Sequence, residues 1–287
     1  MPDTGPADVH VGKKRIQNVI TGNVIICLLL APLVLMPLAR KWELDLRRVS
    51  IGGLAIALFA GIALSWVTML HPLELPTRII AGGAMILFLA VVMLLARFYR
   101  DPERSVPVLN NIIVAPADGV IKYIKKIEPD KETLSSKGSE NIGLAPQFID
   151  ILPEGRGYLI GIAMNFLDVH VTRAPIKGEV VYMEHVPGSF ISPKRPGATG
   201  RNERMHQVIR DHGYSIGLIH IASRLVRQIV SFVDVGDRLL PGQRLGMIRF
   251  GSQVDIILPD RGDLGIMAET GDRIVAGETI IALLKGD

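Results

Sequence analysis

Gly251-Ser252, set between Phe250 and Gln253, is the pair in this chain with the most unusual chemistry open to it. Glycine has no Cβ, so it tolerates strained backbone geometry and lets a following hydroxyl approach its carbonyl. If a fold pressed the Ser252 hydroxyl onto the Gly251 carbonyl, the amide would shift to an ester. Elimination across the Ser252 side chain would then cut the chain and leave a dehydroalanine, which hydrolyses to a pyruvoyl group and ammonia. That course needs a base near the hydroxyl and donors facing the developing oxyanion. Gly-Ser is a common dipeptide, so its neighbours have to carry the case. Val114-Ala-Pro-Ala-Asp-Gly-Val120 sets Asp118 in a turn entering a strand, and Asp168-Val-His-Val-Thr-Arg-Ala-Pro175 sets His170 on a strand between two valines facing the other way. Taken alone, Asp-Gly is turn chemistry and a strand histidine is a satisfied structural residue.

Other familiar sites are missing from the sequence. It has no Gly-x-x-x-x-Gly-Lys-Ser/Thr phosphate loop and no His-Glu-x-x-His helix. The single cysteine, Cys27, builds no disulfide framework, zinc cluster or redox pair, and His185, His206, His212 and His220 lack metal-ligand spacing. We therefore expect no metal.

The elements that must position these groups follow Arg97. Short β-branched segments separated by Gly, Pro and Asp are predicted as strands: Gly119–Ile127, Tyr158–Met164, Gly178–Glu184, Tyr214–Ala222, Arg227–Val233 and Val254–Leu258. They predict an all-β sandwich or flattened barrel over residues 98–287, long enough for its own core. Two polar stretches interrupt it. Residues 130–145 read as an exposed loop, and 188–206, rich in Gly, Pro and cations, as a surface loop or a binding lid. The segment 235–248 (VGDRLLPGQRLGMI) also recurs at 270–283 (TGDRIVAGETIIAL), with Gly-Asp-Arg and the later Gly in step. Such paired hairpins resemble the half-motifs of lipoyl/biotinyl carrier barrels. Recurrence of hairpin grammar is the plainer alternative.

The front of the chain explains its high apolar content, 48% of 287 residues with a mean hydropathy of +0.34. No charged side chain lies between Arg15 and Arg40, between Val49 and Leu73, or between Ile79 and Ala96. Each stretch suits a helix approaching the roughly 30 Å hydrocarbon core at about 1.5 Å per residue. We expect residues 1–97 to be a membrane anchor of about three helices. Gly52-Gly53 and His71-Pro72 make the second the weakest, and a cleaved leader is the alternative reading of the first. With three spans, Lys13, Lys14, Arg15 and Arg78 share one side. Arg40, Lys41, Arg47, Arg48, Arg97, Arg100 and Arg104 share the other, which the positive-inside rule makes cytoplasmic, together with everything after Ala96. The net charge of +4 and pI near 9.2 suit anionic lipid. No aromatic-rich basic stretch argues for nucleic acid.

The ordered segments resemble the phosphatidylserine decarboxylase proenzyme family, in its short bacterial-type branch. The matching pieces are Phe98-Tyr-Arg-Asp-Pro-Glu-Arg104, Ala115-Pro-Ala-Asp-Gly119, Met164-Asn-Phe-Leu-Asp-Val-His-Val-Thr-Arg-Ala-Pro175, Val186-Pro-Gly-Ser-Phe190 with Asn202-Glu-Arg204, and Phe250-Gly-Ser252. The resemblance implies self-cleavage between Gly251 and Ser252 into a large chain, 1–251, and a small chain, 252–287, that begins with a pyruvoyl group made from Ser252, with no diffusible cofactor needed. It implies decarboxylation of phosphatidylserine to phosphatidylethanolamine and carbon dioxide through a Schiff base, at the inner membrane of the cell with the catalytic part on the cytoplasmic side. Asp118 then belongs to self-processing and His170 to proton handling during decarboxylation. Longer relatives carry His-x-x-His where this chain has His170 and Arg173, which leaves the base for Ser252 open between Asp118 and another histidine such as His185. Arg173, Lys194, Arg195 and Arg201 are candidate partners of the substrate carboxylate or phosphodiester, or cations that simply touch anionic headgroups. The competing functional reading is a membrane-anchored biotinyl/lipoyl-like carrier or binding module. Whether the chain forms a homo-oligomer is left open.

Overall fold

A computed structural model describes residues 6–41, 44–129, 134–137, 140–188, 203–222, 228–249 and 253–285. The chain divides into two compact units, residues 1–97 and 98–287.

In the first unit, the helices α1 (Pro6–Lys41), α2 (Leu46–Leu70) and α3 (Leu75–Phe98) are each long and apolar enough to cross a membrane. Asp45 caps α2 by accepting from the amides of Arg47 and Arg48. A different glycine of this second helix, Gly61, lets α1 come close. A Cβ on Gly61 would sit 2.6 Å from the Val24 Cα. Beside that crossing, the Asn23 Nδ2 donates to Thr68 Oγ1 (3.2 Å) and Ser65 Oγ (3.4 Å), which pairs its amide nitrogen within the helix bundle.

The second unit is mainly β. Its strands are β1 (Ile112–Val114), β2 (Gly119–Ile127), β3 (Leu134–Lys137), β4 (Glu140–Gly143), β5 (Gly157–Ala163), β6 (Val171–Arg173), β7 (Gly178–Val186), β8 (Arg204–Asp211), β9 (Tyr214–Ile221), β10 (Gln228–Ser231), β11 (Arg238–Leu239), β12 (Arg244–Arg249), β13 (Gln253–Pro259), β14 (Leu264–Ile266), β15 (Arg273–Ile274) and β16 (Ile280–Leu284). A curled eight-stranded antiparallel sheet runs β11-β7-β8-β9-β13-β5-β2-β15, and two three-stranded sheets, β1-β16-β14 and β10-β12-β6, accompany it. Alternation along β13 divides the core. Val254, Ile256 and Leu258 join Ile248, Ile281 and Ile113 in the larger cluster, whereas Ile257 joins Phe148 and Leu159 in a smaller one. The stretch 130–145, expected as a loop, contains the hairpin β3–β4, with Leu134 opposite Gly143. Three consecutive polar residues on one arm, Ser135, Ser136 and Lys137, hide it from a search for apolar alternation.

The two copies of the sequence repeat fold alike. Gly236 (φ 96°) donates to Val180 O on β7, and Gly271 (φ 99°) donates to Ile121 O on β2, both at 2.8 Å. The later glycines, Gly242 (φ 74°) and Gly277 (φ 75°), donate to Ala174 O and Ala115 O, again at 2.8 Å. Ala115-Pro-Ala-Asp-Gly119 and Ala174-Pro-Ile-Lys-Gly178 therefore play equivalent parts. The two halves meet where a Cβ on Gly277 would stand 3.3 Å from the Gly242 Cα.

Candidate functional site

One row of register crosses six strands: Arg204 on β8, Ile221 on β9, Gln253 on β13, Ala163 on β5, Val120 on β2 and Arg273 on β15. It brings the predicted segments together at one edge of the fold. Gln253 follows Ser252 in sequence, Val120 follows the Asp118 turn, and Arg273 donates to Asp168 Oδ1 at 2.5 Å. Gly119 is obligatory there, because a Cβ would run into the Ala163 carbonyl oxygen.

His170 lies just before β6, fully buried, where its backbone carbonyl accepts from Ile248 N (3.1 Å). Val169 and Val171 are buried as well, so this segment has no solvent face. The His170 Nδ1 is 2.9 Å from Asp168 O. A carbonyl only accepts, so Nδ1 carries the proton and Nε2 holds the free lone pair. Nε2 is buried and has no hydrogen-bond partner among the described residues. Burial, the dominant cause, lowers the His170 pKa to about 4, against the raising effect of the Asp168 contacts, so the ring is neutral at pH 7. Asp168 holds the turn by accepting from Asn165 N (2.8 Å). Phe98 covers the imidazole face, with ring centroids 4.1 Å apart.

The segment that begins at Phe98 is a strap. Asp101 accepts from Arg173 Nη2 (2.7 Å) and from Arg244 Nε, and Glu103 accepts from Arg244 Nη2 (2.7 Å). Pro102 O accepts from Arg173 Nη2 (2.8 Å), while Arg104 Nη2 reaches both Asp118 oxygens (3.0 and 2.8 Å). Asp118 Oδ1 also accepts from Ala276 N (2.8 Å). Both oxygens of this nearly buried carboxylate are therefore engaged by donors.

Arg173 is 3% exposed, and it donates to Asp101, Pro102 O and Gly242 O (2.9 Å). Its Nη1 and Nη2 are thus engaged by acceptors of this chain, while its Nε has no hydrogen-bond partner among the described residues. Among the remaining histidines, His185 Nε2 pairs with Glu203 (2.8 Å). The buried His220 lies opposite Val254, with Nε2 3.1 Å from Thr172 Oγ1. Sequence reasoning passed over His220, although a histidine inside the apolar run Ile216–Ala222 is a signal of a paired interior group. Gly213-Tyr-Ser-Ile-Gly217 has the spacing of a nucleophile elbow, yet Ser215 lies on β9 after a hairpin turn and accepts from Arg210 Nε (3.2 Å). Gly251, Ser252, Lys194, Arg195 and Arg201 lie outside the described residues.

The family model for phosphatidylserine decarboxylase matches residues 92–282. The phosphatidylserine decarboxylase proenzyme of Erythrobacter litoralis is 39% identical over 76% of this chain and 78% of its own length. The proenzyme of Symbiobacterium thermophilum is 36% identical over 71% of this chain and 84% of its own length. The putative archaetidylserine decarboxylase proenzyme of Methanocaldococcus jannaschii is 37% identical over 66% of this chain and 89% of its own length.

Proposed function

This chain belongs to the phosphatidylserine decarboxylase family, and on that premise we propose that it removes the carboxylate of phosphatidylserine as carbon dioxide, leaving phosphatidylethanolamine. In this reading a pyruvoyl group, made from Ser252 by self-cleavage after Gly251, is the prosthetic group. Its ketone supplies the electron sink that a carbanion needs.

The observation that carries the proposal is the neutral, buried His170. Its Nδ1 is fixed as a donor, and its Nε2 has no hydrogen-bond partner among the described residues. A group so held takes or gives a proton at one atom only, in a site from which water is largely excluded. Phe98 keeps the ring from turning. We assign Asp118 to self-processing, as an anion oriented by Arg104 that steadies the turn beside Ala163. Arg173 holds the strap, and the headgroup cations are then Lys194, Arg195 and Arg201. Relatives carry names for two serine lipids, so we read the serine end as the part the site handles.

Residues 1–97 serve as the anchor in the cell's inner membrane and 98–287 as the catalytic domain on its cytoplasmic side, in keeping with the three apolar helices and the basic residues at their ends. We also read the two equivalent hairpin units as lipoyl/biotinyl-like halves that here frame a catalytic edge. The test is the purified protein on a denaturing gel, with the mass of its fragments. The expected result is a small chain, 252–287, that begins with a pyruvoyl group, and a Ser252→Ala variant that stays whole and inactive. A single uncut band in a preparation that turns over the lipid would refute the proposal.

A further inference from the structure

Tyr123, Gln253 and Asp255 share a set of hydrogen bonds that the catalytic reading leaves unused. Asp255 is fully buried and Gln253 is 4% exposed. Tyr123 Oη donates to Asp255 Oδ2 (2.5 Å). Gln253 Nε2 donates both to Tyr123 Oη (3.0 Å) and to Asp255 Oδ1 (2.7 Å). Both carboxylate oxygens and both hydrogens of the amide are engaged. A lone carboxylate on a core strand is costly unless it is paired in this way.

The set spans three strands. Gly161 on β5 lies opposite both Tyr123 on β2 and Asp255 on β13. Strands two apart in a sheet are separated by about 10 Å, and the phenol crosses that distance by lying over Gly161, where any Cβ would enter the ring. Gln253 is the residue that follows Ser252, and its backbone stands in the six-strand row beside Ala163 and Ile221.

We propose that Tyr123, Asp255 and Gln253 are a latch that holds the new N-terminal end of the small chain in register once the chain is cut. This rests on the proposed function, because it presupposes cleavage between Gly251 and Ser252. Before the cut, continuity with residue 251 restrains Ser252. Afterwards residue 252 is a chain end, and strand ends fray unless something ties them down. The ladder to β5 and β9 holds the Gln253 backbone. The latch adds a hold on its side chain through a charged acceptor and keeps the terminal carbonyl group aimed. These are positioning residues, which act on the lipid only through residue 252.

Tyr123→Phe tests the latch by keeping the ring and removing the hydroxyl. In the full chain, cleavage should go to completion and the small chain should have the same ketone-bearing mass as the parent. Turnover per small chain should fall about tenfold with KM within about twofold, as the loss of a hydrogen bond to a charged group implies. Hydrogen exchange at the amides of residues 253–255 should speed up in the cleaved enzyme. Gln253→Met, close in length but without donors, should reproduce both effects if Tyr123→Phe proves unstable. Unchanged turnover and exchange in cleaved, ketone-bearing variants would overturn the latch, as would variants that accumulate uncut. A parent protein whose small chain lacks the ketone would instead overturn the proposed function.

Discussion

Arg173 and Asp101, separated by more than seventy positions in sequence, form a 2.7 Å ion pair in which the guanidinium is almost wholly buried. The resemblance drawn from the sequence leads one to expect a second histidine at the Arg173 position. Here that position anchors the strap whose first residue, Phe98, covers His170 and whose last, Arg104, holds Asp118. One segment thus connects the two candidate acid–base groups.

Arg173→Met should therefore act on stability before it acts on lipid binding. It leaves Asp101 with Arg244 alone and strips Gly242 O of its donor. Breaking a buried pair from one side costs about 3–5 kcal/mol, so the unfolding midpoint should drop clearly. A Michaelis analysis distinguishes the alternatives: an unchanged midpoint with a raised KM for the lipid would return Arg173 to the headgroup site.

If Arg104 is what orients Asp118, then Arg104→Met and Asp118→Asn should slow self-cleavage to a similar degree, by tenfold or more on the scale of general acid–base effects. The double variant should be little worse than either single one. A gel time course of precursor disappearance measures this. Rapid cutting in Arg104→Met would detach the strap from processing.

Stability should fall as the medium is acidified below about pH 6.5. His170 and His220 both have folded pKa values lowered to about 4, chiefly by burial. Between about pH 6.5 and 4 the unfolded chain therefore binds protons that the folded chain refuses, and stability is lost as pH falls through that window. For each histidine the loss is about 2 kcal/mol by pH 5. Denaturant midpoints at pH 7 and 5 measure it, and His170→Leu should flatten the dependence. A midpoint independent of pH across this range would mean that neither ring is held neutral.

Part of this arrangement is legible in the order of residues alone. His170 and Asp118 stand out because their local frames, Asp-Val-His-Val and Ala-Pro-Ala-Asp-Gly, are self-contained turn and strand grammar. The strap is visible only as a run of alternating charge from Arg100 to Arg104, which fits an exposed linker equally well. The latch has a fainter signal, since Asp255 interrupts the apolar run Val254–Leu258 and implies a buried partner. Nothing in the run names Tyr123.

By itself the sequence determined where apolar helices give way to strands, which hairpin recurs, and which residue types stand ready for proton transfer and backbone cleavage. These depend on periodicity and on the φ > 0 demands of glycine turns, which act over a few residues. Only the tertiary structure decided that Arg173 pairs with Asp101, that the His170 Nε2 has no partner among the described residues, and that Tyr123 reaches Asp255 across Gly161. Each of those facts depends on sheet register and on contacts between segments far apart in the chain, which no local pattern encodes.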